Sequence, residues 1–497
     1  MAGNYRLKTP TVVSLALLAA ATLAISLAVV RVTSFLSFSE PFFFLTSGGE
    51  EDPLYSIWRI LNSEPIYVDY FYAPHTLSYF NYLFYFGYAK ICGAVLDLLN
   101  LSQLWLPTIS KLITLAFGLC NATVFYLMLK QTGPSLLQSN YQKLLYSFAI
   151  CLGPLYGFWL ITARPDVPAV FFEFLGLMIF LHYDQKRNIK WLLLAVIALY
   201  VAWAFKQSSV IVVSAISLWL INQRRFIDLL LVTLLTFSLY LVTFLIGGEE
   251  YLFHSIKSQA NLDLVISLGI TNFFLACAKS PLFALSLLVT SIVILRSTKQ
   301  QGIRSIGLIE IALLSGIFFA FLTSMKEGAS DNYYLIPAQL GALCMARESA
   351  YFQKGKYVIF TTGLAAFSIV CLIVLLGLRG IKSPPSAYAA KVEVLKATIK
   401  ETDGPVFVIP DRSLNSPLIL PSKPNFMLAY TYQRDSDRGT IFEAGGAKGR
   451  ITNKYFNLLV LSEDIDSFDG AEIDKYYVTS HRDQFFRYMI PRPPPSE

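Results

Sequence analysis

Charge is scarce in this chain. Of 497 residues only 15% are Asp, Glu, Lys or Arg, while 55% are hydrophobic, and the mean hydropathy is +0.53. Ordinary soluble domains do not combine so little charge with so much apolar sequence, so the chain reads as a polytopic membrane protein. Histidine is scarcer still. His75, His182, His254 and His481 are scattered without a ligand spacing, which argues against a histidine metal cage. The six cysteines (Cys92, Cys120, Cys151, Cys277, Cys344 and Cys371) lie in apolar segments and form no C-x-x-C pair. That argues against a disulfide framework or a structural zinc site and leaves packing as their role. Neither G-x-x-x-x-G-K-[ST] nor G-x-G-x-x-G occurs, so nucleotide-driven chemistry is not expected. The net charge of +7 is spread through short loops and calls for no nucleic-acid partner.

What the chain does have is long apolar runs. Runs of roughly 15–22 residues predict about eleven spans, beginning near Thr11, Pro107, Leu144, Pro168, Trp191, Ser208, Asp228, Pro281, Ile306, Leu335 and Tyr357. The basic pairs and triplets Arg6/Lys8, Lys130/Lys143, Lys186/Arg187/Lys190, Arg224/Arg225, Arg296/Lys299/Arg304 and Arg347/Lys354/Lys356 then share one face, the cytoplasmic one. This parity requires that the tyrosine-rich stretch from His75 to about Leu99 lie in the interface rather than cross. The expectation is a multi-pass protein of the plasma (inner) membrane with a cytoplasmic N-terminus.

The chain divides into a membrane domain, 1–380, and a polar extracytoplasmic tail, 381–497. Pro384-Pro385 open the tail, a helix is expected over Ala387–Ile399, and strand-like runs follow at Val406–Ile409 and Phe456–Leu461. The tail reads as a small α/β domain.

The opposite, outer face collects the unusual charges. Gly48-Gly49-Glu50-Glu51-Asp52 follows the first span, and three adjacent carboxylates at a membrane boundary are either a solvated loop or a site. Two of them could hold a divalent cation or deprotonate a hydroxyl. Arg164-Pro165-Asp166 sits in a short connection, either as an internal ion pair or with Arg164 meeting phosphate. Lys206 interrupts an apolar run, as a snorkelling lysine or an anion ligand. Lys326–Tyr334 is a polar loop able to close over a substrate.

Taken together these motifs resemble the glycosyltransferase-C superfamily, and most of all its family-39-type enzymes, relatives of the protein O-mannosyltransferases and lipid A aminoarabinose transferases. The matching pieces are Glu51-Asp52-Pro53-Leu54-Tyr55, Tyr67–His75, Ala163–Pro168, Phe205-Lys206-Gln207 and Lys326–Pro337, spread over residues 10–350. The resemblance implies transfer of a monosaccharide from a polyprenyl-phosphate donor to a glycan, lipid or protein acceptor at the outer face. It implies catalytic roles for Glu51 or Asp52 and for Asp166, and contacts of Arg164, Lys206 and Lys326 to the donor phosphate. Asp69, His75 and Tyr334, inside the shared motifs, are expected to touch substrate. A divalent cation (Mg or Mn) on Glu51, Asp52 and Asp166 is compatible with the pattern but not required by it. The family often carries Asp-Glu where this chain has Glu51-Asp52, so the choice between those two stays open. The competing readings are a flippase for a lipid-linked sugar, which needs charges near the midplane, and a non-catalytic membrane subunit.

Overall fold

A computed structural model describes residues 9–36, 49–132, 135–348, 356–380, 384–400, 402–420 and 426–494. Gly48, Arg6, Lys8 and Lys354 fall outside these ranges. The chain opens with α1 (Thr9–Leu36), the short α2 (Glu51–Leu61) and α3 (Tyr82–Leu98). Next come α4 (Leu106–Gln131), α5 (Asn140–Leu152), α6 (Asp166–Lys186), α7 (Ile189–Phe205), α8 (Ile211–Asn222) and α9 (Phe226–Leu252). A single turn, α10 (Ser258–Ala260), precedes α11 (Ile266–Lys279), α12 (Pro281–Gln301), α13 (Leu308–Ser324), α14 (Leu335–Glu348) and α15 (Lys356–Gly380). A helix therefore begins near each of the eleven expected positions. Among the described residues α1, α4, α6, α9, α12 and α15 are each long and apolar enough to cross a membrane. The helix α11 was not anticipated, because its apolar run is short and broken by Asn272.

Burial explains how the bundle packs. In α1, Val13, Leu17, Ala20, Ala21, Ala24 and Ala28 recur at helical spacing and are buried against α5 and α15. Alanines there let the helix backbones approach. The other side of the bundle is apolar too: α9 exposes Ile227, Leu230, Leu234, Phe237, Leu245 and Ile246. Such a stripe would be a liability in water and is the face expected to meet lipid. At Gly248 the backbone turns to φ +73°, so the chain bends away from the α9 axis where only glycine adopts this geometry without strain.

The basic loops gather at one end. Gln223 donates to the carbonyl of Arg304 and Asn222 to that of Ile303, while Arg347 donates to the carbonyl of Thr132. Arg225 pairs with Asp184 and Asp228, and Arg187 joins the same two carboxylates. The loops that charge parity assigned to one face are thus tied to one another.

At the opposite end lies the tail. It comprises α16 (Pro384–Ile399), β1 (Val406–Ile409), α17 (Tyr432–Asp437), α18 (Gly446–Thr452), β2 (Leu458–Leu461), β3 (Ser467–Phe468), β4 (Ala471–Glu472), α19 (Ile473–Tyr476), β5 (Tyr477–Arg482) and β6 (Arg487–Pro491). The main sheet has the order β1-β2-β6-β5. Its β1 and β2 run parallel, with Val406 opposite Leu458, and the other neighbours are antiparallel. The two strand runs expected from the sequence form the parallel pair β1–β2 at one edge of the sheet; the β5–β6 hairpin is not foreshadowed there. The tail shares its core with the first loop. Leu54, Ile57 and Ile66 pack in one cluster with Val392, Leu395, Val408, Val460 and Tyr488, and Tyr70 and Leu77 pack with Phe407, Phe426 and Tyr432.

Candidate active site

The first loop is anchored before it presents any chemistry. Glu50 is fully buried, and its carboxylate accepts the backbone N–H of Ala163 at 2.7 Å, bringing the acidic cluster against the Arg164 connection. His254, just past α9, clips the loop from the other side. Its Nδ1 accepts the N–H of Ser78 at 2.9 Å and its Nε2 donates to the carbonyl of Val68 at 2.6 Å.

Asp52 then lies in the first turn of α2, 1% exposed. Its Oδ1 accepts from the Arg412 guanidinium of the tail at 2.7 Å, while Oδ2 has no hydrogen-bond partner among the described residues. Burial pushes the Asp52 carboxyl above its ordinary range, and Arg412 pulls it back. Glu51 is raised in the same way, chiefly by burial, and its Oε2 is also without a partner. Arg412 is oriented by a second bond, from Nε to the carbonyl of Leu428 at 2.7 Å.

Asp166, at the start of α6, is engaged on both oxygens. Arg164 Nε reaches Oδ2 at 3.1 Å, and Lys206 Nζ and Asn332 Nδ2 each reach Oδ1 at 2.5 Å. The rings of Phe80 and Trp159 flank the Arg164 guanidinium. The Lys206 ammonium sits 4.3 Å from the Tyr333 ring centroid. Lys206 itself ends α7 and opens the turn into α8, so it is a buried residue of a tight turn.

A cavity of about 200 Å³ joins these parts. Asp52, Arg164, Lys326, Tyr79, Tyr333 and Tyr430 are among the residues that line it. Asp166, Lys206, Ser208 and Asn332 line a narrow neck beside it, which shares Tyr333 with the cavity. Lys326 faces the cavity with no ion-pair or side-chain hydrogen-bond partner among the described residues, and burial lowers its ammonium below the usual lysine range.

Three residues expected to touch substrate lie elsewhere. Asp69 caps a turn by accepting the N–H of Phe71 at 2.9 Å. His75 is buried between the loop and the tail, its ring against Phe426, Tyr432 and Phe442. Tyr334 points into the bundle, with its ring beside Phe273 and Phe283 and its hydroxyl 3.2 Å from Ser324; the neighbouring Tyr333 lines the cavity instead.

A cation shared by Glu51, Asp52 and Asp166 does not fit this arrangement. Asp166 has both oxygens occupied and Arg412 already neutralises Asp52. Among the described residues the only close group of three metal-ligating side chains is Glu310, Cys344 and Glu348, at the other end of the bundle.

The helical membrane body, the loop folded over one end and the small α/β tail closing a polar cavity make up a fold shared with solved structures. The chain is similar, over 94% of its length and 97% of the other, to ArnT from Cupriavidus metallidurans bound to undecaprenyl phosphate, with a TM-score of 0.56 and 10% identity. It is also similar to the archaeal oligosaccharyltransferase AglB from Archaeoglobus fulgidus in complex with an inhibitory peptide and a dolichol-phosphate. There the TM-score is 0.55 at 12% identity, covering 89% of this chain and 69% of that one. An Archaeoglobus fulgidus oligosaccharyltransferase tethered with an acceptor peptide containing the NVT sequon gives a TM-score of 0.58 at 12% identity over 92% and 72% of the two chains. No protein-family model and no curated protein matches the sequence. At this identity the likeness is one of fold.

Proposed function

We propose that this chain is a membrane glycosyltransferase that moves a monosaccharide from a polyprenyl-phosphate donor to an acceptor hydroxyl at the outer face of the inner membrane. In this reading the N-terminus is cytoplasmic, residues 1–380 form the membrane domain and residues 381–497 the extracytoplasmic tail. The observation that carries it is the cavity lined together by Lys326, whose ammonium has no ion-pair partner among the described residues, by Arg164 and by Asp52, whose Oδ2 accepts no hydrogen bond from them.

An apolar groove lies on the same bundle. It measures about 580 Å³ and runs between α8 and α13, lined by Val213, Leu218, Leu314, Phe318 and Phe319 among others. Phe319 also lines the neck at Lys206. The order of apolar groove, neck with the Lys206–Asp166 pair and polar cavity with Lys326 and Arg164 suits a prenyl chain, its phosphate and a sugar. A larger groove of about 860 Å³ lies by α3, α7 and α9, but its rim carries Glu249 and Glu250 and its lining no cation, so it suits a phosphate poorly.

In the reaction the acceptor oxygen attacks the anomeric carbon in one inverting displacement while the bond from that carbon to the phosphate oxygen breaks. Asp52 takes the hydroxyl proton on Oδ2; a carboxylate raised by burial is a better base than an ordinary one. The departing polyprenyl phosphate gains negative charge beside Lys326 and Arg164, which lowers the barrier where that charge develops. Asp166, saturated with donors, sets the positions of Arg164 and Lys206.

The test is release of polyprenyl phosphate by purified protein in detergent, supplied with a panel of polyprenyl-phosphate sugars. Asp52→Asn should lose turnover by roughly 10²-fold or more. Glu51→Gln should retain most of it, and Asp166→Asn should act mainly through donor binding. Wild-type turnover in Asp52→Asn rejects the assignment of the base.

A further inference from the structure

A second polar cluster lies at the basic end of the bundle, separated from the cavity by α14, about 20 Å long at roughly 1.5 Å per residue. Glu310 occupies the first turn of α13, and Cys344 and Glu348 stand four residues apart on one face of α14. All three are buried, Glu348 to 1% exposure. One ligand atom from each lies within 4.8 Å of the others. Thr290 of α12 adds a buried hydroxyl beside Cys344 and Glu348.

Arg347 donates to Glu310 Oε1 at 3.2 Å, and Glu348 stands against Glu310 and Thr290, yet no hydrogen bond of ordinary geometry reaches Glu310 Oε2 or either oxygen of Glu348 among the described residues. Two ionised carboxylates buried against one guanidinium would be strongly disfavoured, so among the described residues the cluster needs either a proton shared between the carboxyls or a cation.

We propose that Glu310, Cys344 and Glu348 hold a zinc ion that braces α13 to α14 at this end of the bundle. The thiolate selects zinc over magnesium, calcium or manganese, which prefer all-oxygen sites. The three ligand atoms lie within 4.8 Å of one another, and side-chain rotations bring them to the closer spacing that bonds of roughly 2.0–2.3 Å to one ion require. A cavity of about 290 Å³, lined in part by Gln131, Gln185, Gly307, Glu310 and Arg347, opens beside the cluster. It supplies an entry path and room for a water as fourth ligand. A side chain at position 307 would collide with the Glu310 carboxylate, so glycine leaves that group its place. Sequence spacing gave no hint, because the ligands come from two helices and Cys344 reads as packing.

The experiment strips the purified full-length chain with a chelator and then adds zinc alone or cobalt alone. Wild-type protein is expected to retain about one zinc ion per chain after desalting and to melt at a higher temperature with zinc than without. With cobalt it should show a thiolate charge-transfer band. Cys344→Ser should lose the band, the retained ion and the zinc-dependent rise in melting temperature, as should Glu348→Gln. Cys151→Ser should keep all three. A wild-type chain that retains no ion overturns the proposal and leaves the two carboxylates sharing a proton. Retention of zinc and of the cobalt band by Cys344→Ser overturns it equally, and that conservative variant decides the matter even if Glu348→Gln fails to fold. No part of the test uses glycosyl transfer, so its result is independent of the proposed function.

Discussion

Asp52, the base of the proposed reaction, pairs with Arg412 from 360 residues away in sequence. Arg412 pulls down a carboxyl that burial pushes up. Arg412→Ala should therefore move Asp52 further up and shift the acidic limb of the pH–rate profile to higher pH, because a base works only when deprotonated. Arg412→Lys should restore part of the shift. A residue that only held the fold would lower the rate at every pH without moving that limb. Arg412 retains some solvent contact, 22% of its side chain, so the stability loss should be about 1–3 kcal/mol, below the range for a fully buried pair. At this scale the sequence was legible only where local. The runs around Asp52, Arg164, Lys206 and Lys326 stood out as charges at the edges of apolar segments. Arg412 did not, being one arginine in a polar tail whose folding back onto residue 52 depends on tertiary contacts. Position within a motif was also insufficient: Tyr333 and Tyr334 are adjacent, and a turn sends one to the cavity and the other into the core.

Among the elements, α8 has no capping side chain of its own. Its N-terminus is closed from another helix instead, where Glu173 of α6 accepts the N–H of Val212 at 3.0 Å. A carboxylate at a helix N-terminus satisfies a donor left open by the helix and meets the positive end of its dipole. Glu173→Ala should cost on the order of 1–3 kcal/mol, read as a lower melting temperature in detergent. Glu173→Gln, which keeps an acceptor, should cost less. The junction of the first loop with the tail yields a pH prediction. Burial lowers the His75 imidazole to about 4, with smaller opposing and reinforcing effects from the Tyr70 carbonyl, Arg450, Glu443 and Asp469. Since the unfolded value is near 6.5, His75 favours the docked state fully above that pH. Its contribution falls as pH drops towards 4, by up to about 3 kcal/mol. Limited proteolysis of the tail should accelerate between pH 6.5 and 5, and His75→Phe, which fits the surrounding aromatic rings, should flatten the response. Helix positions were legible because apolar runs set them. The interfaces between elements were not, since Glu173 and His75 gain their roles only from partners distant in the chain.

The whole molecule has two ends of opposite character, and its topology follows from how they are tied. The tail reaches over the outer loops through Arg434 to Glu327 at 3.1 Å and Arg438 to Asp263, and it shares a hydrophobic core with residues 54–77. Ion pairs of this exposed kind are individually worth about 0–1 kcal/mol, so the shared core is what holds the tail in place. Loop and tail must then lie on one side of the membrane, and the Lys186–Lys190 connection is expected on the other because α6 is long and apolar enough to span between them. Single cysteines at Asn62, Asp437 and Lys186, all exposed, test this in intact cells and inverted vesicles with a membrane-impermeant thiol reagent. Cys120, which is also exposed, is first replaced by serine. Asn62→Cys and Asp437→Cys should react from the same side and Lys186→Cys from the other. If Asn62→Cys and Asp437→Cys react from opposite sides, Arg412 cannot meet Asp52, and the cavity loses both its closing wall and the partner of its base. If all three share a side, α6 does not cross, and the neck at Asp166 is not at a membrane boundary. Only the expected pattern puts the groove between α8 and α13, through which the proposed lipid-borne phosphate would enter, on the same surface as the proposed base in the loop and its partner in the tail.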